Sequence, residues 1–170
     1  MNYLRENNVT VYTIYKVMYY SGARLSEAIY LIRNIEEFRR NRLPEKDFKS
    51  IGYIDLDEAV RINVHWSRGY KRCDFLWLPK DLFEELVKTM IDRRNVSKYA
   101  ERHSLLKPKY VRKLHYQILE DLIEDVSLRE FMQNRYEKLR VGDTNYSKLV
   151  LRADKTYVGK ILPRLKSYLS

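Results

Sequence analysis

Cys73 is the single cysteine in 170 residues, which excludes an internal disulfide framework and a multi-cysteine zinc site and fits a reducing intracellular compartment. Glycine is nearly as scarce. The five glycines form neither a G-x-G-x-x-G turn nor a phosphate loop leading into Lys-Ser/Thr, so nucleotide-cofactor classes drop out. His65, His103 and His115 show no H-E-x-x-H or other metal-ligand spacing, and no catalytic metal is expected. No apolar run reaches the length of a membrane span, and the N-terminal MNYLRENN has no signal-peptide hydrophobic stretch, so a soluble chain without a membrane partner is expected. Internal repeats, low-complexity stretches and Gly/Ser linkers are also missing.

Positive charge and tyrosine are plentiful. Lys and Arg number 33 against 23 Asp and Glu, a formal net charge of +10, in a chain that is 45% hydrophobic and therefore too apolar to be disordered. Such a balance points to a polyanionic partner. The charge is uneven: residues 120–130 hold five acids and one base, whereas residues 148–166 hold six bases and one acid, which makes the C-terminal segment the candidate contact. Tyrosine, with 15 copies, outnumbers Phe and Trp together. The length suits one domain with one core.

Periodicity orders the chain as helices, then a sheet, then helices. Val11, Ile14, Tyr15, Met18 and Tyr19 form the buried stripe of a helix over residues 10–20, broken at Ser21-Gly22. Leu25, Ala28, Ile29 and Ile32 predict a second helix from about Arg24, and residues 36–49, with Pro44, read as an exposed connection. Between Ile51 and Leu78, β-branched and aromatic residues often alternate in three groups, with Ser67-Arg68-Gly69-Tyr70 as a hairpin turn. Helices are predicted after Pro79, over residues 82–90, behind Pro108, over residues 131–139, and over residues 146–169 with interruptions at Gly159 and Pro163. The fold class is α+β, mainly helical, with a small antiparallel three-stranded sheet.

A basic protein without metal or nucleotide must act on a polyanion with side chains alone. For a phosphodiester the useful set is a nucleophile, cations for the non-bridging oxygens, and a proton donor for the leaving oxygen. Arg24, in Tyr20-Ser21-Gly22-Ala23-Arg24-Leu25-Ser26-Glu27, falls at a helix N-terminus, where the backbone dipole disfavours a cation unless an anion is shared there. The string resembles the first arginine box of tyrosine recombinases, roughly Y-x-T-G-x-R-x-x-E-L, with Ser21 in place of the threonine and Gly22, Arg24 and Glu27 in register.

That resemblance implies an ordered set of further residues. The family carries a catalytic lysine in the last hairpin of a small sheet; here Lys71 is the chosen general acid, with Arg68 the alternative. A helix with H-x-x-R follows, matched by Lys109 and Arg112 behind Pro108, and K-x-x-R is similar to the archaeal virus integrases. Leu151-Arg152-Ala153-Asp154-Lys155-Thr156-Tyr157-Val158 resembles their terminal tyrosine segment, making Tyr157 the expected nucleophile. By periodicity alone, Tyr157 lies in an i, i+4 series with Leu149, Ala153, Ile161 and Leu165 and reads as a core tyrosine. Asn145, or else Lys148, matches the family's histidine or tryptophan position.

The resemblance implies a single catalytic domain over residues 1–170, lacking the family's N-terminal DNA-clamping domain. It further implies site-specific cleavage and rejoining of double-stranded DNA through a 3'-phosphotyrosyl link, in a viral or plasmid integrase. Such a protein would work inside the host cell without a cofactor and would self-associate as a dimer or tetramer on DNA. The alternatives are a non-catalytic basic DNA-binding module and a type IB topoisomerase-like enzyme.

Overall fold

The computed structural model of the chain describes residues 8–136 and 143–169, with the side chains of residues 143–145 outside the description. Helix α1 (Val9–Ser21) starts at Asn8, whose side chain accepts from the Val11 N–H at 3.0 Å. It ends at Gly22 with φ +64, a conformation that glycine adopts without a Cβ penalty. Space reinforces the choice, because a Cβ there would lie 2.6 Å from Cδ2 of His115. Helices α2 (Leu25–Arg33) and α3 (Ile35–Arg40) follow. The predicted exposed connection therefore begins with a short helix, since Ile35 and Phe38, three apart in a polar stretch, are both buried.

Strands β1 (Gly52–Asp55), β2 (Ala59–Arg68) and β3 (Lys71–Pro79) form an antiparallel sheet in that order. A register shift between Asn63 and Trp66 leaves His65 at φ +44, the mark of a bulge. Helix α4 (Lys80–Glu85) is shorter than predicted. The Arg39 guanidinium takes the carbonyl oxygens of Phe83 and Glu84, which ends the helix, and Val87 and Met90 lie exposed beyond it.

Helix α5 (Arg93–Arg102) is capped by Asp92, and α6 (Pro108–Leu122) has proline in its first turn. In α7 (Val126–Met132) the residues expected to open a helix instead close one: Phe131 and Met132 are buried, and the chain turns at Asn134 with φ +52. Helix α8 (Asp143–Thr156) passes through a widened turn, Tyr157–Ile161, into α9 (Leu162–Ser167). The interruption predicted at Gly159 and Pro163 takes this form. A wide turn gives proline, with no N–H, a place without breaking the rod.

The core lies where α1 packs on α2, α6 and β3 while α8 packs on α7. Trp77, Phe75 and Phe131 fill it with ring centroids 6.0–6.3 Å apart. Arg61 on β2, fully buried, meets Asp154 of α8 at 2.5 Å, and Trp77 Nε1–H donates to the same carboxylate at 2.7 Å. Burial opposes ionisation of both partners, pushing Asp154 up and Arg61 down.

Candidate active site

One cleft of about 720 Å³ gathers residues from four separate parts of the chain. Its lining includes Arg24, Arg68, Lys71, Arg93, Lys107, Lys109 and Arg112, with Glu101 as the lone acid in it. Seven bases against one acid make it an anion site by charge alone.

Arg24 is the N-cap residue of α2, where a cation opposes the helix dipole. Glu27, buried in the first turn, offsets this. Its carboxylate accepts from the Arg24 backbone N–H at 2.6 Å and also from the Arg24 guanidinium. Its Nη2 donates to the Asn134 carbonyl oxygen at 3.4 Å. The side chain is thereby fixed on one edge and keeps 18% of its surface exposed.

Arg112 stands in the second turn of α6, three residues after Lys109, so both project on the cleft side. Its Nε–H donates to Gln133 Oε1 at 3.0 Å and a second nitrogen to the Gln133 carbonyl oxygen at 2.5 Å. Burial, then the nearby Arg24 charge, pushes its pKa down to about 10. At neutral pH it remains charged. A buried cation disfavoured by a second cation beside it marks a site that gains by receiving an anion.

Arg68 and Lys71 are direct cross-strand partners at the β2–β3 tip, so both face the same side of the sheet and both enter the cleft. Tyr70 beside them is 86% exposed. Lys109 is exposed, its ammonium 4.9 Å from the Tyr110 ring centroid. Arg24, Lys71, Lys109 and Arg112 are thus brought together.

Tyr157 is not brought to them. It is fully buried, its hydroxyl donating to the Tyr20 carbonyl oxygen at 3.1 Å, and its pKa is raised well above the ordinary value by burial, with Tyr20 and Asp81 adding to the effect. The i, i+4 stripe explains this: Leu149, Ala153, Ile161 and Leu165 are all buried with it. Exposing such a ring costs on the order of 3 kcal/mol of lost burial. Asn145 lies in α8, but its side chain is outside the described residues, and Lys148 is exposed on the same helix.

The sequence reading missed the contribution of Arg93, Ser97 and Lys107. Helix α5 places Arg93 and Ser97 toward the cleft while Val96 and Ala100 turn inward. Two small apolar residues four apart were the only signal, and they are too few to define a stripe. Among the described residues no helix is long and apolar enough to cross a membrane, and no cluster of three or more His, Cys, Asp or Glu could hold a metal ion.

The profile of the archaeal phage integrases matches residues 1–162. The chain belongs to the archaeal phage integrase family. An integrase acts on DNA, and the basic cleft lies within the matched region. No match was found among curated proteins.

Proposed function

We propose that this integrase breaks and rejoins DNA strands as a tyrosine recombinase, in the integration or excision of viral or plasmid DNA. The observation that carries the reading is the convergence of Arg24, Lys71, Lys109 and Arg112, from α2, β3 and α6, on one cleft. Arg24 and Arg112 hold the non-bridging oxygens, where two forked guanidinium groups suit a phosphate. Lys71 protonates the departing 5'-oxygen and Lys109 adds a further donor. A tyrosine on the C-terminal side of Arg112 attacks the phosphorus. Since the bond energy is retained in the protein–DNA link, no nucleotide is consumed. Strand exchange pairs two or more duplexes and so calls for self-association on DNA.

Nicked suicide duplexes with a randomised core test the reading without knowledge of the target site. Covalent protein–DNA product surviving denaturant is expected. Salt-sensitive binding with no covalent product would instead leave a DNA-binding module, and supercoil relaxation without exchange would favour a topoisomerase. Lys71→Ala should lose 10²- to 10³-fold in cleavage rate. A 5'-bridging sulfur in the scissile linkage should restore that loss, because a thiolate leaves without an acid. Rescue of Arg68→Ala in place of Lys71→Ala would exchange their roles.

A further inference from the structure

Helix α5 turns little of itself inward. Of its 10 residues Val96 and Ala100 are buried and Tyr99 is half-buried, while the others stand exposed. A helix of this length spans about 15 Å, enough to cross the major groove of DNA, which is about 12 Å wide. The exposed surface divides into two stripes of i, i+4, i+8 spacing. Arg94, Lys98 and Arg102 make one, which is wholly cationic; Arg93, Ser97 and Glu101 make the other, and it lines the cleft.

Glu101 does not suit a cleft built for phosphate alone, being the lone acid among the bases there. Ser97 and Leu105, four residues to either side, carry no charge, so the helix supplies no i, i+4 counter-charge, and among the described residues the carboxylate forms no ion pair. An ionised carboxylate only accepts hydrogen bonds, so beside bound phosphates it is repelled unless a donor meets it. DNA in the cleft offers such donors on its base edges. Adenine sets the N7 acceptor next to its amine, which opposes the second carboxylate oxygen; cytosine presents the N4 amine without that neighbour.

The position of α5 is fixed relative to the phosphate clamp. Arg33 is the last residue of α2, the helix that starts at Arg24, and it donates from Nε and Nη2 to the Ile91 carbonyl oxygen at 3.1 and 2.6 Å, immediately before the Asp92 cap of α5. Beyond the other end, the Tyr15 hydroxyl of α1 donates to the Leu106 carbonyl oxygen at 2.6 Å. The stripe that carries Glu101 is thereby held at a constant offset from Arg24, and a base read by it lies a fixed number of steps from the bound phosphate.

We propose that α5 enters the major groove beside the bound phosphate, where Arg94, Lys98 and Arg102 follow the phosphates of one strand and Glu101 selects a cytosine by accepting from its N4 amine. The Ser97 hydroxyl, one turn away, meets the adjacent base edge, and Arg93 stays with the phosphates. The inference deepens the recombinase reading and rests on its DNA-filled cleft, but on no covalent step.

Selection of a randomised duplex pool by binding to the full chain, followed by sequencing, tests the inference apart from cleavage. The wild-type chain should enrich cytosine about tenfold at one position. Glu101→Gln should move the preference at that position to adenine, whose N6 and N7 suit an amide, and leave the other positions as they were. Lys98→Ala should weaken binding to all sequences alike. A profile that Glu101→Gln leaves unchanged, with affinity raised uniformly by removal of a negative charge, would overturn the inference and leave the recombinase reading standing. Loss of the cytosine preference in Lys98→Ala would overturn the division between the stripes. A preference that depends on Glu101, with no covalent product from nicked duplexes of the selected sequence, would uphold the inference and overturn the recombinase reading.

Discussion

Arg24 serves two purposes, and its replacement should separate them. In the fold it neutralises the buried Glu27 carboxylate at the start of α2; in the proposed chemistry it meets an oxygen whose charge grows as the reaction proceeds. Arg24→Ala should therefore lower unfolding free energy by about 1–3 kcal/mol in urea titrations, because it strips a buried charge of its partner. It should also slow single-turnover cleavage 10²- to 10³-fold with a much smaller change in DNA affinity. A large affinity loss at constant rate would make it a simple phosphate anchor. His115 gives a prediction of another kind. It is buried, its Nδ1–H donates to the Tyr19 carbonyl oxygen at 2.7 Å, and burial pushes its pKa down to about 4. The unfolded chain takes up this proton near pH 6.5 and the folded chain only near pH 4. Stability is then lost as pH falls from about 6.5 to 4, by up to about 3 kcal/mol, and this contribution levels off below. His115→Gln should flatten that window in denaturant titrations at pH 7.5 and 5. At this scale the arginines were legible because their strings are local. Arg68 and Lys71 could not be separated by sequence because they are opposite one another in register.

Among the elements, α8 depends on a contact far from it in sequence. Asp154 accepts from Arg61 on β2 and Trp77 on β3, and Arg61 also donates to the carbonyls of Glu45 and Asp47 at 3.0 and 3.1 Å. One carboxylate thus ties α8 to the sheet and to the loop before β1. Asp154→Ala should destabilise the chain by about 3–5 kcal/mol by leaving a buried guanidinium without its counter-charge. Replacing Arg61 and Asp154 together by apolar residues should recover much of that loss in the same unfolding assay. Sequence could place Asp154 in the tyrosine-like string, but its partner lies 93 residues away, and no local pattern encodes such a pairing. The strands and α6 were readable because each presents a full apolar period. Helix α4 was not, because its predicted last turn lost the competition for its carbonyls to Arg39, a residue from another helix.

For the molecule as a whole, the cleft should behave as a counter-ion exchanger. If four to six of its seven bases neutralise DNA phosphates, log affinity should fall with log salt at a slope between about −3.6 and −5.4. Arg93→Ala should make that slope shallower by about one unit while leaving the trapped adduct intact, since Arg93 comes from α5 and holds no assigned chemical step. A fluorescence anisotropy titration over 50–300 mM salt measures both. Charge counted along the chain singles out residues 148–166, and such a count cannot show which bases fold to one side. Arg24 and Arg112 belong to different helices, yet they donate to the carbonyl oxygens of two consecutive residues, Asn134 and Gln133. Their fates are consequently epistatic: the first substitution to loosen that turn spends most of the damage, and a second at the other arginine has little left to remove.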